Sequence, residues 1–242
     1  MNSKDMSYPS NARPYSVIGG TVESRVEFIR KTYGHLAAAI IAFVAFCAMF
    51  YAVGVGQAIA NVALQGNGMA WLLVLGGFIL VGYLAQSLAR AERPLSTQYF
   101  GLGIYTLAEA LIFAPMIYLA AQYYPGVLPS ATVVTLTTFI GLTGFVLIYN
   151  KDFSYLGSFL AIAGFAALGV IIAGVLFGFN LGIWFSGIMI LFAAGAILYS
   201  TSNVLHYYRT DQYVAAALDL FAAVALLFWY VLRLFMEMSR RS

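Results

Sequence analysis

Seven stretches of the chain, 36–56, 69–89, 99–121, 131–149, 156–179, 183–205 and 213–235, each run for about 20 predominantly apolar residues, the length a helix needs to cross the hydrocarbon core of a bilayer. The connections between them, 57–68, 90–98, 122–130, 150–155, 180–182 and 206–212, are too short to hold a separate domain. Only 9% of the 242 residues are charged, against about 25% in soluble domains, which need that many to face water. A cytosolic enzyme, a nucleic-acid binder and a disordered chain are thereby excluded. The expectation is an all-α membrane protein, a seven-transmembrane-helix bundle whose main partner is the lipid bilayer. A polar N-terminal tail occupies 1–30, the bundle 31–236 and a short C-terminal tail 237–242.

The first 30 residues lack the apolar core and cleavage site of a signal peptide; segment 21–31 reads as a short interfacial helix. The single cysteine, Cys47, lies inside an apolar run, so neither a disulfide framework nor a cysteine metal site is available. Orientation follows the positive-inside bias. Lys4, Arg13, Arg25, Arg30 and Lys31 precede or open the first span, and Arg90, Arg93, Lys151 and Arg209 lie in the even-numbered turns. The odd-numbered turns hold no lysine or arginine. The N-terminus is therefore expected in the cytoplasm and the C-terminus outside. Arg233, Arg240 and Arg241 oppose the second half of that assignment, and a re-entrant last segment would reverse it. Glycines such as Gly76, Gly77, Gly82, Gly157, Gly164, Gly169, Gly174, Gly187 and Gly195 fall within spans two, five and six, where small residues let helices approach closely.

Ionisable residues inside a span are functional candidates because they are costly to place there. Glu109 lies about halfway along span three, and Asp219 near the cytoplasmic end of span seven. At a rise of about 1.5 Å per residue both could reach one cytoplasm-facing cavity, where they would serve as proton sites or cation ligands. Tyr105 and Thr106 share the Glu109 face and can hydrogen-bond it. The neighbours of Asp219 one turn away are Ala215, Ala216, Ala222 and Ala223, a narrow face suited to the bundle interior. Span six ends in Ser200, Thr201, Ser202 and Asn203, then His206; these are candidate polar-path residues, and a histidine can sense pH near neutrality. His35 reads as structural, and Arg233 can snorkel to the headgroups. For each carboxyl the competing reading is a protonated or paired group that only ties helices together.

Catalytic chemistries fail on composition. A retinal Schiff base needs an intramembrane lysine, whereas Lys4, Lys31 and Lys151 lie outside or at span ends. Two distant histidines cannot make the H-E-x-x-H zinc site. Ser186 and His206 lie at opposite ends of one span, which excludes a serine–histidine pair, and Asp219 has no intramembrane aspartate partner. No cofactor fingerprint is present, and the chain reads as a non-enzyme.

Several segments carry a likeness. Tyr105-Thr106-Leu107-Ala108-Glu109-Ala110-Leu111 followed by Pro115, Gly141-Leu142-Thr143, Lys151-Asp152-Phe153-Ser154-Tyr155-Leu156-Gly157, Ile197-Leu198-Tyr199-Ser200-Thr201 through His206, and Ala217-Leu218-Asp219-Leu220-Phe221 resemble the Bax inhibitor-1 (transmembrane Bax-inhibitor-motif) family over roughly residues 31–235. In the third segment Asp152 or Ser154 can cap the start of span five. The resemblance implies a seven-helix bundle with the last helix at its centre and a non-catalytic role in membrane homeostasis. Some members leak calcium in a pH-dependent way through a pair of aspartates in spans six and seven that share protons. Those two positions fall at Ser200 and Ala223 here, and both are empty of acid. Ser200-Thr201-Ser202 instead resembles a bacterial branch whose members look like regulators of an ATP-dependent membrane protease, which implies a bacterial cytoplasmic membrane.

Two functions are therefore expected as alternatives. One is cation permeability, for calcium or protons, with Glu109 and Asp219 in place of the missing pair. The other is restraint of a membrane-bound quality-control protease through the cytoplasmic N-terminal tail and turns. A scaffold whose polar groups only pack is the third.

Overall fold

The computed structural model describes residues 17, 20–65, 69–90 and 92–241. These form eight helices: α1 (Val22–Ala52), α2 (Val55–Gln65), α3 (Met69–Leu88), α4 (Leu95–Tyr123), α5 (Val127–Tyr149), α6 (Leu156–Phe177), α7 (Gly182–His206) and α8 (Tyr213–Ser239). Among the described residues, α1, α4, α5, α6, α7 and α8 are long and apolar enough to cross a membrane. The shorter apolar stretch Leu72–Leu88 belongs to α3.

Two boundaries differ from the sequence expectation. Segment 21–31 is not a separate interfacial helix; it is the first third of α1. Thr21 caps that helix by accepting the Ser24 N–H at 3.2 Å, and the helix then runs unbroken through Gly34, a cost of about 1 kcal/mol that a 31-residue helix absorbs. The expected connection 57–68 contains α2, launched where Gly54 takes a φ of +79°, a left-handed turn open to glycine. The last segment, α8, is one continuous helix of 27 residues, long and apolar enough to cross a membrane.

Burial separates inner from outer helices. The most apolar window of α8 is 67% buried and that of α4 is 56% buried, against 6% for α6. Helix α8 packs against α1, α4, α5 and α7, while α2 and α3 lie on α4 and α6 lies on α7. An aromatic knot joins the inner helices: Phe113 of α4 meets Phe43 of α1 edge-on at 5.1 Å and stacks on Phe228 of α8 at 5.5 Å. Such pairs add about 0.5–1.5 kcal/mol each beyond their buried area. The outer helices turn Phe159, Ile162 and Phe165 of α6, and Ile188 and Leu191 of α7, outward, an apolar surface that only lipid can solvate.

The expected small-residue packing holds in part. Gly82, Gly157, Gly164, Gly174 and Gly195 meet neighbouring side chains, whereas Gly76, Gly77, Gly169 and Gly187 face open space. The closest backbone approaches are at Gly56, over the Ala114 carbonyl of α4, and at Gly101, over Ala85 of α3 and Ala89 just past its end.

Candidate functional site

The two intramembrane carboxyls come together. Glu109 of α4 and Asp219 of α8 line one cavity of about 520 Å³, together with Tyr105, Tyr199, Ser200 and Ala223. Glu109 is buried, and Asp219 is partly open to the cavity. Helix α4 places the Tyr105 hydroxyl beside the Glu109 carboxyl one turn away. Thr106, the other expected partner, instead donates to its own helix at the Leu102 carbonyl, 2.8 Å away, as a buried threonine does when no better acceptor is near.

Asp219 has a partner that the sequence did not point to. The Tyr208 hydroxyl, from the turn between α7 and α8, donates to Asp219 Oδ2. Burial first, and then Asp219 beside it, push the Tyr208 phenol well above its ordinary range, so the hydroxyl keeps its proton and acts as donor. The Tyr208 backbone is fixed on both sides: its N–H donates to the Asn203 carbonyl at 3.0 Å, and its carbonyl accepts the Val17 N–H at 2.9 Å. Val17 is fully buried. The N-terminal segment is thus anchored, through one hydrogen bond, to the residue that holds Asp219.

Tyr208 and Tyr199 connect the cavity to its surroundings. Both line a second space of about 430 Å³ beside Ser154, Asn203 and Gln212, and Tyr208 also lines a small space of about 170 Å³ with Gln86 and Asp219. At the opposite end Trp229 and Arg233 are shared between the central cavity and a groove of about 370 Å³. Spaces along the inner helices are therefore linked by shared lining residues from the α7–α8 turn to the end of α8. Gly157 lies directly under the Tyr199 ring, where a Cβ would stand 2.8 Å from the ring edge.

The remaining candidates divide. Ser200 reaches the cavity, whereas Asn203 lines only the space at the turn. His206 bonds its own helix, with Nδ1 2.9 Å from the Ser202 carbonyl, and does not line the carboxyl cavity. Ser202 ties the α5–α6 turn to α7: its Oγ accepts the Phe153 N–H at 2.8 Å and donates to Asp152 Oδ1 at 3.2 Å. His35 stacks on Tyr99 at 5.3 Å and lies 5.1 Å from Tyr213, a structural position. Arg233 pairs with Glu237 at 3.1 Å instead of reaching away from the protein.

Asp152 does not cap α6 directly. It accepts the Ser154 N–H at 2.8 Å and the Tyr207 hydroxyl at 2.9 Å, one turn before the helix begins. Those donors, the Ser154 N–H foremost, hold its carboxyl at about 2. The unfolded value is higher, about 3.9, so the stabilisation is fully present above that pH and is lost as pH falls towards about 2. Thermal unfolding in detergent should therefore show Asp152→Asn melting below the wild type at neutral pH, with the gap closing at about pH 2. A gap that persists in acid would contradict this account of the turn.

Comparison with known proteins agrees with the motif likeness. The family model described as "Inhibitor of apoptosis-promoting Bax1" matches residues 25–241. Similar proteins include the "Golgi anti-apoptotic protein" of Vaccinia virus (strain Lister), 29% identical over 232 residues that cover 94% of this chain and 92% of that one. "Protein LIFEGUARD 3" of Arabidopsis thaliana is 30% identical over 247 residues, covering 96% and 93%. "Bax inhibitor 1" of Schizosaccharomyces pombe is 27% identical over 215 residues, covering 87% and 76%. With the family match spanning nearly the whole chain, this multi-pass membrane protein belongs to the Bax inhibitor-1 family.

Proposed function

We propose that the protein is a non-catalytic cation-permeability protein, passing calcium or protons along α8 through the cavity that Glu109 and Asp219 share. In this reading α3 joins the six long apolar helices as a seventh span, α8 is the central helix, and the N-terminus and the α7–α8 turn face the cytoplasm. The observation that carries it is that two intramembrane carboxyls line one cavity, which shares lining residues with the spaces towards either end of the bundle. Calcium prefers six to eight oxygen ligands. Two carboxylates, with two oxygens each, and the Tyr105, Tyr199 and Ser200 hydroxyls can supply ligands of that kind, and a path must still bind its ion weakly enough to release it. The vacant family positions, Ser200 and Ala223, both line this cavity, so Asp219 and Glu109 supply acid to the same space from other positions.

In proteoliposomes Asp219→Asn and Glu109→Gln are each expected to lower calcium or proton flux about tenfold, the effect of about 1.4 kcal/mol in site affinity or barrier. Wild-type rates in both variants would end this reading.

A second reading, restraint of a membrane-bound protease in a bacterial cytoplasmic membrane, is supported by the bond of Val17, within the tail, to the Tyr208 carbonyl in the turn beside the site. Residues 1–16 lie outside the described residues. Deleting them while keeping Val17 separates the two readings: loss of protease restraint with flux unchanged supports the second, and the reverse supports the first.

A further inference from the structure

We propose that the groove between α2, α4 and α8, at the end of the bundle away from the α7–α8 turn, binds an anionic phospholipid. Arg233 and Arg240 hold its phosphate, and an acyl chain lies on the groove's apolar wall. The proposal does not depend on the cation reading.

The groove encloses about 370 Å³, within the range of about 300–1,000 Å³ typical of small-molecule sites. Its wall is apolar: Ala60 of α2, Pro115, Met116 and Leu119 of α4, and Met236 of α8. Its polar groups sit along one stripe. Arg233, Glu237 and Arg240 follow the three- and four-residue spacing of a single helix face, so both guanidiniums meet the same groove.

Glu237 does not neutralise that stripe. One carboxylate oxygen accepts Arg233 Nε at 3.1 Å, and the other lies 3.4 Å from the hydroxyl of the fully buried Ser186. Glu237 is thereby turned towards α7 and occupies one of the five N–H donors of Arg233. Arg240 makes no ion pair among the described residues. Two arginines against one carboxylate leave a net positive charge on the rim of an apolar groove.

The depth fits a headgroup. Arg240 lies 27 residues beyond Tyr213, where α8 begins, about 40 Å at helical rise, a length that carries a helix from one headgroup region to the other. Tyr123 and Trp184, at the same end, are 66% and 85% exposed, as residues of an interfacial aromatic belt are. A guanidinium at that level can take a phosphodiester through paired N–H donors, and the apolar wall gives a chain-bearing ligand an advantage over a free anion.

The test uses the full chain in detergent, with lipid retention read by native mass spectrometry and melting temperature read in parallel. Wild type should retain phosphatidylglycerol about fivefold over phosphatidylcholine at equal mole fraction, the effect of one basic side chain near an anionic surface. Arg240→Gln should remove that preference and Arg241→Gln, a charge loss outside the groove, should keep it. Equal retention of the two lipids, or equal loss in the two variants, would overturn the site. Inorganic phosphate raising the melting temperature as much as phosphatidylglycerol would overturn the lipid as its occupant.

Discussion

Gly101→Val is expected to destabilise the protein by about 3 kcal/mol, the upper range for forcing side-chain volume into a closed contact. A Cβ at this position would stand 2.9 Å from the Ala85 carbonyl oxygen, 2.9 Å from Leu88 Cβ and 3.2 Å from the Ala89 nitrogen. Two of those three atoms are backbone, so no rotamer change relieves the contact and α3 itself must move away from α4. Helix α3 carries Val74, Leu75, Phe78 and Gln86 on the cavity wall, and its displacement would open the site as well as weaken the bundle. Gly103→Val is the internal control. It lies on the same helix with nothing within 4 Å of its Cβ, and it should change the melting temperature little. Equal melting temperatures for the two variants in detergent would show that α3 and α4 are not in this close contact.

Tyr208→Phe is expected to raise flux about tenfold or more. The phenol is the donor on Asp219, and it stands where the turn-side spaces meet the carboxyl. A hydrogen bond to a charged group contributes about 1.5–3 kcal/mol, and its loss at the carboxyl corresponds to at least about tenfold in rate. The substitution removes one oxygen and leaves the ring, so packing against the turn is kept. Deletion of the Val17 contact should act in the same direction and more weakly, because it frees only the Tyr208 backbone. A Tyr208→Phe rate equal to the wild type would mean that the turn does not gate the cavity.

Much of this architecture is legible in the amino-acid order because the bilayer imposes a simple rule: about 20 apolar residues make a span. Among the described residues that rule located each long apolar helix, though not the start of α1. It has nothing to say about α2, which at 11 residues is too short to span and is held by its packing on α4. Nor does it separate tight glycines from idle ones. Gly56 and Gly101 look no different in sequence from Gly76 and Gly77, and only the positions of other helices make them indispensable.

The site shows the same division. Glu109 and Asp219 stand out because a carboxyl in an apolar run is costly, and their meeting in one cavity follows from depth. Tyr208 and Tyr199 were not distinguishable among 17 tyrosines, since aromatic residues at span ends are common in any membrane protein. The pairing of Tyr208 with Asp219 needs the α7–α8 turn to fold back over α8, a tertiary event without a local signal. Thr106 runs the other way: by spacing it is a credible partner for Glu109, yet it donates to its own helix, as His206 bonds the Ser202 carbonyl of its helix.

Flux of calcium and protons through wild-type protein in proteoliposomes, followed between about pH 6 and pH 8 on either side of neutrality, bears most directly on the cavity as an ion path. A flux that changes with pH, and that loses this dependence in Asp219→Asn, is the predicted result. Vesicles that stay tight to both ions at every pH would contradict it and leave the anchored N-terminal segment as the part of the molecule to pursue.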